Sequence, residues 1–326
     1  MLTQPLLALA AIDRELFQST MTTAGRCPEP GLDAGLRPLL ARPGKRLRPA
    51  LVFAMAACGS EPDRIAAAKC AAALELTHLS SLIHDDLIDR AESRGDLPTL
   101  HTSAGLAAAV VGGDYLIAVA GRLVTEVSAE AALIWHQAYA DLCVGQAREL
   151  ANSHRTDVTT VDYLAAIRGK TAALMAASCR LGALCGGLGP AEVEAAARFG
   201  EAFGMVFQLV DDLMDVVATA DSWGKPVGQD VPNGVYTAAV IAALEHADER
   251  FQRLFGPSMT PAQVDLVLDR ARRIGTGPVL DLIDGYVREA GRELAALPAA
   301  PALADLPNTY VTKTLGRAVI VTERVS

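Results

Sequence analysis

The chain has 326 residues, a net charge of −9 and no block of Lys or Arg. That argues against a nucleic-acid binder, whose surface needs a basic face. Apolar residues reach 51% while aromatics stay at 5%, with Ala very frequent, so composition favours helix over sheet. Acidity leaves anionic substrates open, because local cations or bound metals can reverse the field of a pocket.

The N-terminal segment MLTQPLLALAAIDREL has no basic region ahead of an apolar core, so it reads as a helix rather than a signal peptide. Helical periodicity then runs nearly throughout, punctuated by Gly and Pro. Breaks are expected at 25–32, 42–44, 59–62, 94–98, 186–190, 221–234, 256–261, 275–278 and 297–301. Gly189-Pro190 fits a helix start, with Pro in the first turn. The longest apolar stretch, 104–121, is interrupted by Gly112, Gly113 and Asp114, short of the about 20 apolar residues of a membrane span. Cys27, Cys58, Cys70, Cys143, Cys179 and Cys185 lack C-x-x-C spacing and read as small apolar residues in a reducing compartment. No strand is expected. Breaks spread evenly, without a composition shift, predict one all-α domain over 1–326, soluble and cytoplasmic.

Within the helix expected over 74–89, Asp85 and Asp89 stand four apart, on one face, with Asp86 beside them. Like charges at that spacing destabilise a bare helix. They become favourable when a hard cation such as Mg²⁺, which bridges carboxylates to substrate phosphates, sits between them. The pattern recurs at Asp211, Asp212 and Asp215, inside the apolar run GEAFGMVFQLVDDLMDVV, with Gln208 one turn earlier. A solvated helix face explains a single D-D-x-x-D in an acidic protein. It does not explain two copies embedded in apolar helices over a hundred residues apart, which facing helices of a bundle can bring around one cavity.

Diphosphate also needs fixed positive charge. Lys45, Arg46 and Arg48 cluster at an expected helix start, with Lys45 and Arg48 three apart and able to share a face. Lys offers a point charge, Arg a planar fork for phosphate oxygens. Lys170 follows Gly169 and precedes Thr171, and Lys225 stands ten residues beyond the second acidic motif, in a segment able to close over a substrate. Taken singly, each of these cations reads equally as a surface residue.

In combination these motifs resemble the trans-isoprenyl diphosphate synthases of the polyprenyl synthetase family, in the manner of a geranylgeranyl diphosphate synthase. The matching elements are G-K-R-L-R-P at 44–49, H-L-S-S-L-I-H-D-D-L-I-D at 78–89, P-T-L-H at 98–101 and G-Q-A-R-E-L at 145–150. G-K-T-A at 169–172, F-Q-L-V-D-D-L-M-D at 207–215 and G-K-P-V-G-Q-D at 224–230 complete the order. The resemblance implies a large antiparallel helical bundle with a deep central cavity, a homodimer, and three Mg²⁺ ions between the acidic motifs. It implies Asp85, Asp89 and Asp211 as metal ligands, with Asp215 in the same motif. Arg94, Lys170 and Lys225 are then expected on the allylic diphosphate, and Lys45, Arg48 and His78 on isopentenyl diphosphate. Asp86, Asp212, Thr171 and Gln208 belong to the same motifs and complete the expected site.

The match fails at two places. The family usually carries R-R-G after the first acidic motif, and this chain has Arg94-Gly95-Asp96. Gly95 thus replaces a family ligand of isopentenyl diphosphate, which opens a second reading: an enzyme that ionises one prenyl diphosphate and cyclises, hydrolyses or couples it. A third is a regulatory subunit, against which two intact acidic motifs argue. Val235 replaces a Lys common in relatives. Upstream of Asp85, Ser81 and Ser80 are small, Thr77 lies about 12 Å below and Leu74 about 16 Å below as a partial floor, which leaves room for a product of C20 or longer. The stretch at Asp114-Tyr115-Leu116 is the other place where the cavity could close. His84 is open to orienting a carboxylate or lying at the surface, His101 to starting a helix. His136, His154 and His246 read as ordinary surface or core residues.

Overall fold

The structure is a computed structural model that describes residues 11–42, 44–223, 227–298, 300–301 and 303–322. Helices α1 (Ala11–Ala24), α2 (Pro30–Ala41) and α3 (Leu47–Ala56) lead into the long α4 (Arg64–Ile88). A hairpin of two-residue strands, β1 (Ser93–Arg94) and β2 (Leu97–Pro98), precedes α5 (Leu100–Ala104), α6 (Leu106–Thr125), α7 (Ala129–Asn152) and α8 (Thr160–Ile167). A π-helical turn (Arg168–Ala172) joins α8 to α9 (Ala173–Cys185), and α10 (Pro190–Val217) follows. The C-terminal part holds α11 (Ala220–Trp223), α12 (Ala238–Glu245), α13 (Glu249–Gln252), α14 (Pro261–Arg270), a second π turn (Ala271–Gly275), α15 (Thr276–Leu294) and α16 (Leu306–Thr322).

Local chemistry sets the ends of the two longest helices. Asp63 caps α4 by accepting from the amides of Ile65 and Ala66, which satisfies two orphan donors. Gly189 caps α10, Pro190 takes its first position, and the Glu192 side chain accepts from the Gly189 amide at 2.7 Å. Two apolar cores result. One surrounds α4, with Leu74 and Leu76 fully buried against α1, α3 and α6; the other surrounds α10, with Phe199 and Phe203 fully buried against α9, α15 and α16. Helix α9 serves both, turning Leu174 and Leu181 to the first core and Met175 and Cys179 to the second.

Three expectations need correction. No break occurs at 275–278: the π turn runs straight into α15. A widened turn already forgoes part of the hydrogen-bond ladder, so Pro278, just beyond it, costs little by lacking a donor. Strand is present, as a hairpin whose register pairs Ser93 with Pro98 and Arg94 with Leu97. Its two central residues are Gly95 and Asp96, and Gly95 has φ +62°, the left-handed conformation that a tight hairpin asks of its first turn residue. Finally, α6 continues through Gly112 and Gly113 and is long and apolar enough to cross a membrane by length and composition, although 44% of that stretch is buried inside the protein. Gly113 is fully enclosed because the His84 ring of α4 lies where its side chain would stand.

Candidate active site

Both acidic motifs end up at the C-terminal ends of their helices: Asp85 in the last turn of α4 with Asp89 as its cap, and Asp211, Asp212 and Asp215 in the last two turns of α10. The helix macrodipole adds negative potential there, which favours cations and penalises carboxylates left alone. Asp89, Asp211, Asp212 and Asp215 line one cavity of about 480 Å³, together with Glu149, Lys170 and Gln208.

Backbone contact places Lys170. Gly145 of α7 lies directly against Gly169 and the Lys170 amide, so close that a side chain on either glycine would overlap main chain. The crossing brings Glu149, one turn after Gly145, to Lys170 Nζ at 2.5 Å, and Asp85 Oδ2 lies 4.0 Å from the same nitrogen. Burial alone would lower the Lys170 pKa, but Glu149 and Asp85 outweigh it and raise it, so the ammonium stays charged. Asp85 is raised, first by burial and then by Asp89 and Glu149, with Lys170 opposing.

Asp212 is the most constrained acid. Tyr163 donates to Oδ2 at 2.6 Å and Gln208 to Oδ1 at 2.6 Å, while Thr171 donates to the Gln208 carbonyl at 2.7 Å. Burial pushes Asp212 up to about 7, against the pull of the Tyr163 hydrogen bond and with the push of Asp211. Asp215 is buried, and its two oxygens accept from the amides of Gln229 and Asp230 at 3.4 and 3.2 Å. It therefore pins the loop that follows α10. Lys225 lies outside the described residues.

A second cavity, of about 470 Å³, is lined by other residues of the same two helices. Here α4 contributes Asp86 and His78 and α10 contributes Phe207, and Arg42, Lys45, Arg48 and Arg94 surround them. The three clustered cations part company. Arg46, at φ +47°, turns inward to the buried Glu75 at 2.6 Å and to the Arg42 carbonyl at 2.7 Å. Lys45 lies over the Phe207 ring, 6.0 Å from its centre. Arg48 keeps a buried Nε without a hydrogen-bond partner. Arg94 is bound to the buried Asp86 at 2.7 and 2.8 Å and lines this cavity. Burial, reinforced by Arg48, Arg94 and Arg46, holds His78 well below the usual imidazole range, so it is neutral at pH 7.

Sequence reasoning missed Glu149 and Tyr163. Glu149 sits in G-Q-A-R-E-L, and its spacing from Gly145 is the signal that could have drawn attention to it; Tyr163 left none. His84 faces α6, with Nε2 3.4 Å from the Val110 carbonyl, away from the acidic cavity. His101 stands at the start of α5 against the Thr99 hydroxyl.

Among the described residues no three carboxylates or other ligand groups converge into a ready metal cage. The donor set still fits Mg²⁺, which is commonly held by one or two carboxylates, with phosphate and water completing its octahedron. All-oxygen acids at two helix C-termini around one cavity supply that.

The family model for polyprenyl synthetase matches residues 29–267. The chain belongs to the polyprenyl synthetase family. It is 34% identical over 278 residues to a nonaprenyl diphosphate synthase of Mycobacterium tuberculosis, covering 83% of each chain. It is 36% identical over 298 residues to heptaprenyl diphosphate synthase component 2 of Geobacillus stearothermophilus, covering 89% of this chain and 90% of the relative. Among solved structures, a polyprenyl synthase from Caulobacter crescentus complexed with calcium and isoprenyl diphosphate superposes with a TM-score of 0.86 at 30% identity, over 95% of this chain and 97% of that one. The all-α isoprenoid synthase fold and the trans-prenyl diphosphate synthase class, a class of prenyltransferases, follow from this membership.

Proposed function

We propose that the chain condenses an allylic prenyl diphosphate with isopentenyl diphosphate to give a longer trans-polyprenyl diphosphate of C20 or more. One observation carries the reading: α4 and α10 each line two cavities, one acidic and one cationic. The acidic cavity takes the allylic diphosphate and the cationic one isopentenyl diphosphate. Asp85, Asp89 and Asp211, with Asp215 beside them, would hold three Mg²⁺ ions, which when bound supply Lewis-acid stabilisation of the departing diphosphate. Lys170, oriented by Glu149, adds fixed positive charge to the same leaving group. Thr171 and Gln208 fix Asp212 in place. In the cationic cavity Lys45, Arg48 and neutral His78 orient isopentenyl diphosphate, and Arg94 is steadied by Asp86. The allylic carbon–oxygen bond breaks with its electron pair leaving on diphosphate, the alkene of isopentenyl diphosphate attacks the allylic cation, and a proton is then lost to the released diphosphate. The apolar walls keep water from the cation.

Below Asp85, Ser80 donates to the Gly113 carbonyl at 2.9 Å, and Trp135 of α7 donates to Thr77 at 2.8 Å, beside the fully buried Leu74. This layer of α4, α6 and α7 is the proposed floor of the product pocket. The two cores share α9, which supports a single domain.

A homodimer is supported by an exposed small and apolar stripe on α7: Leu133, Ala140, Cys143, Ala147 and Leu150, with exposed His136 in register. Its alternating spacing of three and four is that of a helix seam. The named component of a two-part synthase makes a heteromeric assembly the other outcome of a mass measurement. We place the chain in the cytoplasm. The deciding experiment incubates purified protein and Mg²⁺ with farnesyl diphosphate, with and without isopentenyl diphosphate, and reads products by mass spectrometry. A longer prenyl diphosphate formed only with both substrates is expected. A hydrocarbon or alcohol released from the allylic substrate alone would overturn condensation in favour of ionisation.

A further inference from the structure

The cationic cavity has a charge balance that the expected ligands do not account for. Its described lining includes Arg42, Lys45, Arg46, Arg48 and Arg94, and its acids are Glu75 and Asp86. Glu75 neutralises Arg46 and Asp86 neutralises Arg94. Lys45, Arg48 and Arg42 remain, and none of them forms an ion pair among the described residues. A diphosphate monoester carries nearly three negative charges at neutral pH, so three uncommitted cations complement it where Lys45 and Arg48 alone do not.

Arg42 also stands where a cation is missing. The hairpin turn gives Gly95 a left-handed backbone, and a side chain built on Gly95 would collide with Nη2 of Arg42 and lie 3.5 Å from its Cζ. The Arg42 guanidinium thus occupies the volume that the first side-chain atoms of an arginine at position 95 would need. The Arg42 backbone is itself fixed in place, because Arg42 caps the C-terminal end of α2 and its carbonyl is gripped by Arg46, which is locked to Glu75. Asp96, next in the turn, is exposed and pairs with no cation among the described residues, so it does not cancel the charge.

We propose that Arg42 is a substrate-positioning residue of the isopentenyl diphosphate subsite, supplying from the end of α2 the guanidinium that Gly95 of the hairpin lacks. The proposal rests on the condensation reading above. It assigns the subsite two forks, Arg42 and Arg48, beside the Lys45 point charge in one cavity, a donor set suited to bidentate contact with phosphate oxygens.

The test compares wild type with Arg42→Ala, Arg42→Lys and the double variant Arg42→Ala/Gly95→Arg. Arg42→Ala is expected to raise KM for isopentenyl diphosphate about ten-fold or more, the scale of one lost hydrogen bond between charged groups, with KM for farnesyl diphosphate within about two-fold of wild type. Arg42→Lys should recover part of the loss, and Gly95→Arg, entering the volume that Arg42→Ala vacates, should recover part despite its strained turn. A purely structural arginine would instead move both KM values and the melting temperature together. An unchanged KM for isopentenyl diphosphate in a folded Arg42→Ala protein overturns the proposal. If wild type ionises farnesyl diphosphate without condensing, it is the condensation reading that fails. Titration of inorganic pyrophosphate into metal-free wild type and Arg42→Lys by calorimetry then decides: weaker binding in the variant sustains the role of the fork, and equal binding removes it.

Discussion

The two cavities enclose nearly the same volume and both draw on α4 and α10, yet their charges are matched differently. In the cationic cavity each acid is matched to a cation, while the Arg42 carbonyl is held by Arg46 and Lys45 lies over Phe207. In the acidic cavity carboxylates accumulate at two helix ends, and burial with mutual repulsion raises Asp85 and Asp212. A site of the first kind waits for an anion. A site of the second kind is under electrostatic stress until a multivalent cation arrives.

Removing divalent metal is the sharpest way to separate them. Chelation should lower turnover by ~10³-fold or more, while calorimetric binding of inorganic pyrophosphate to the cationic cavity survives. Loss of both on chelation would show that the cavities are not independent. Next in size, Asp211→Asn and Lys170→Ala should each lower kcat by roughly 10²–10³-fold, the cost of removing one preorganised charge, with KM for isopentenyl diphosphate nearly unchanged in steady-state assays. Glu75→Gln should act on the other cavity alone. It leaves Arg46 without its buried partner, at a cost of about 3 kcal/mol, read as a lower urea midpoint together with weaker isopentenyl diphosphate binding.

The smallest effect is one of pH. His78 has a folded pKa below its unfolded value near 6.5. Below pH 6.5 the unfolded chain therefore binds the extra proton first, so stability present above pH 6.5 is eroded as pH falls towards the folded pKa. In His78→Gln that part of the acid sensitivity should vanish. Urea midpoints compared between pH 7.5 and 5.5 check it, and an equal drop in both proteins would mean that His78 titrates normally.

What could be read in advance divides along the same lines. Gly189-Pro190, the acidic repeats and Gly169-Lys170 are local signals, because a cap, an i to i+4 spacing and a glycine beside a lysine are visible within a few residues. The pairing of Arg46 with Glu75 and of Arg94 with Asp86 is not, since both depend on how the loop before α3 and the hairpin after α4 fold back. The same holds for Glu149 and Tyr163, which acquire meaning only through the crossing of α7 with the π turn and the approach of α8 to α10. Gly95 shows the limit most plainly. In sequence it is an absent arginine; in three dimensions it is a turn residue with another arginine lying over it.

Helix α7 carries unlike obligations on its two sides. The outward stripe from Leu133 to Leu150 is exposed, while Gln146 and Glu149, on the same last turns, line the acidic cavity, and Gly145 anchors the rod against Gly169. A rigid helix shared in this way makes assembly state and chemistry hard to inherit separately. A substitution such as Leu150→Glu, selected for altered association, would also place a new charge next to Glu149, the residue that holds Lys170. Evolution of a new partner on that face would be constrained by the Glu149–Lys170 pair on the other.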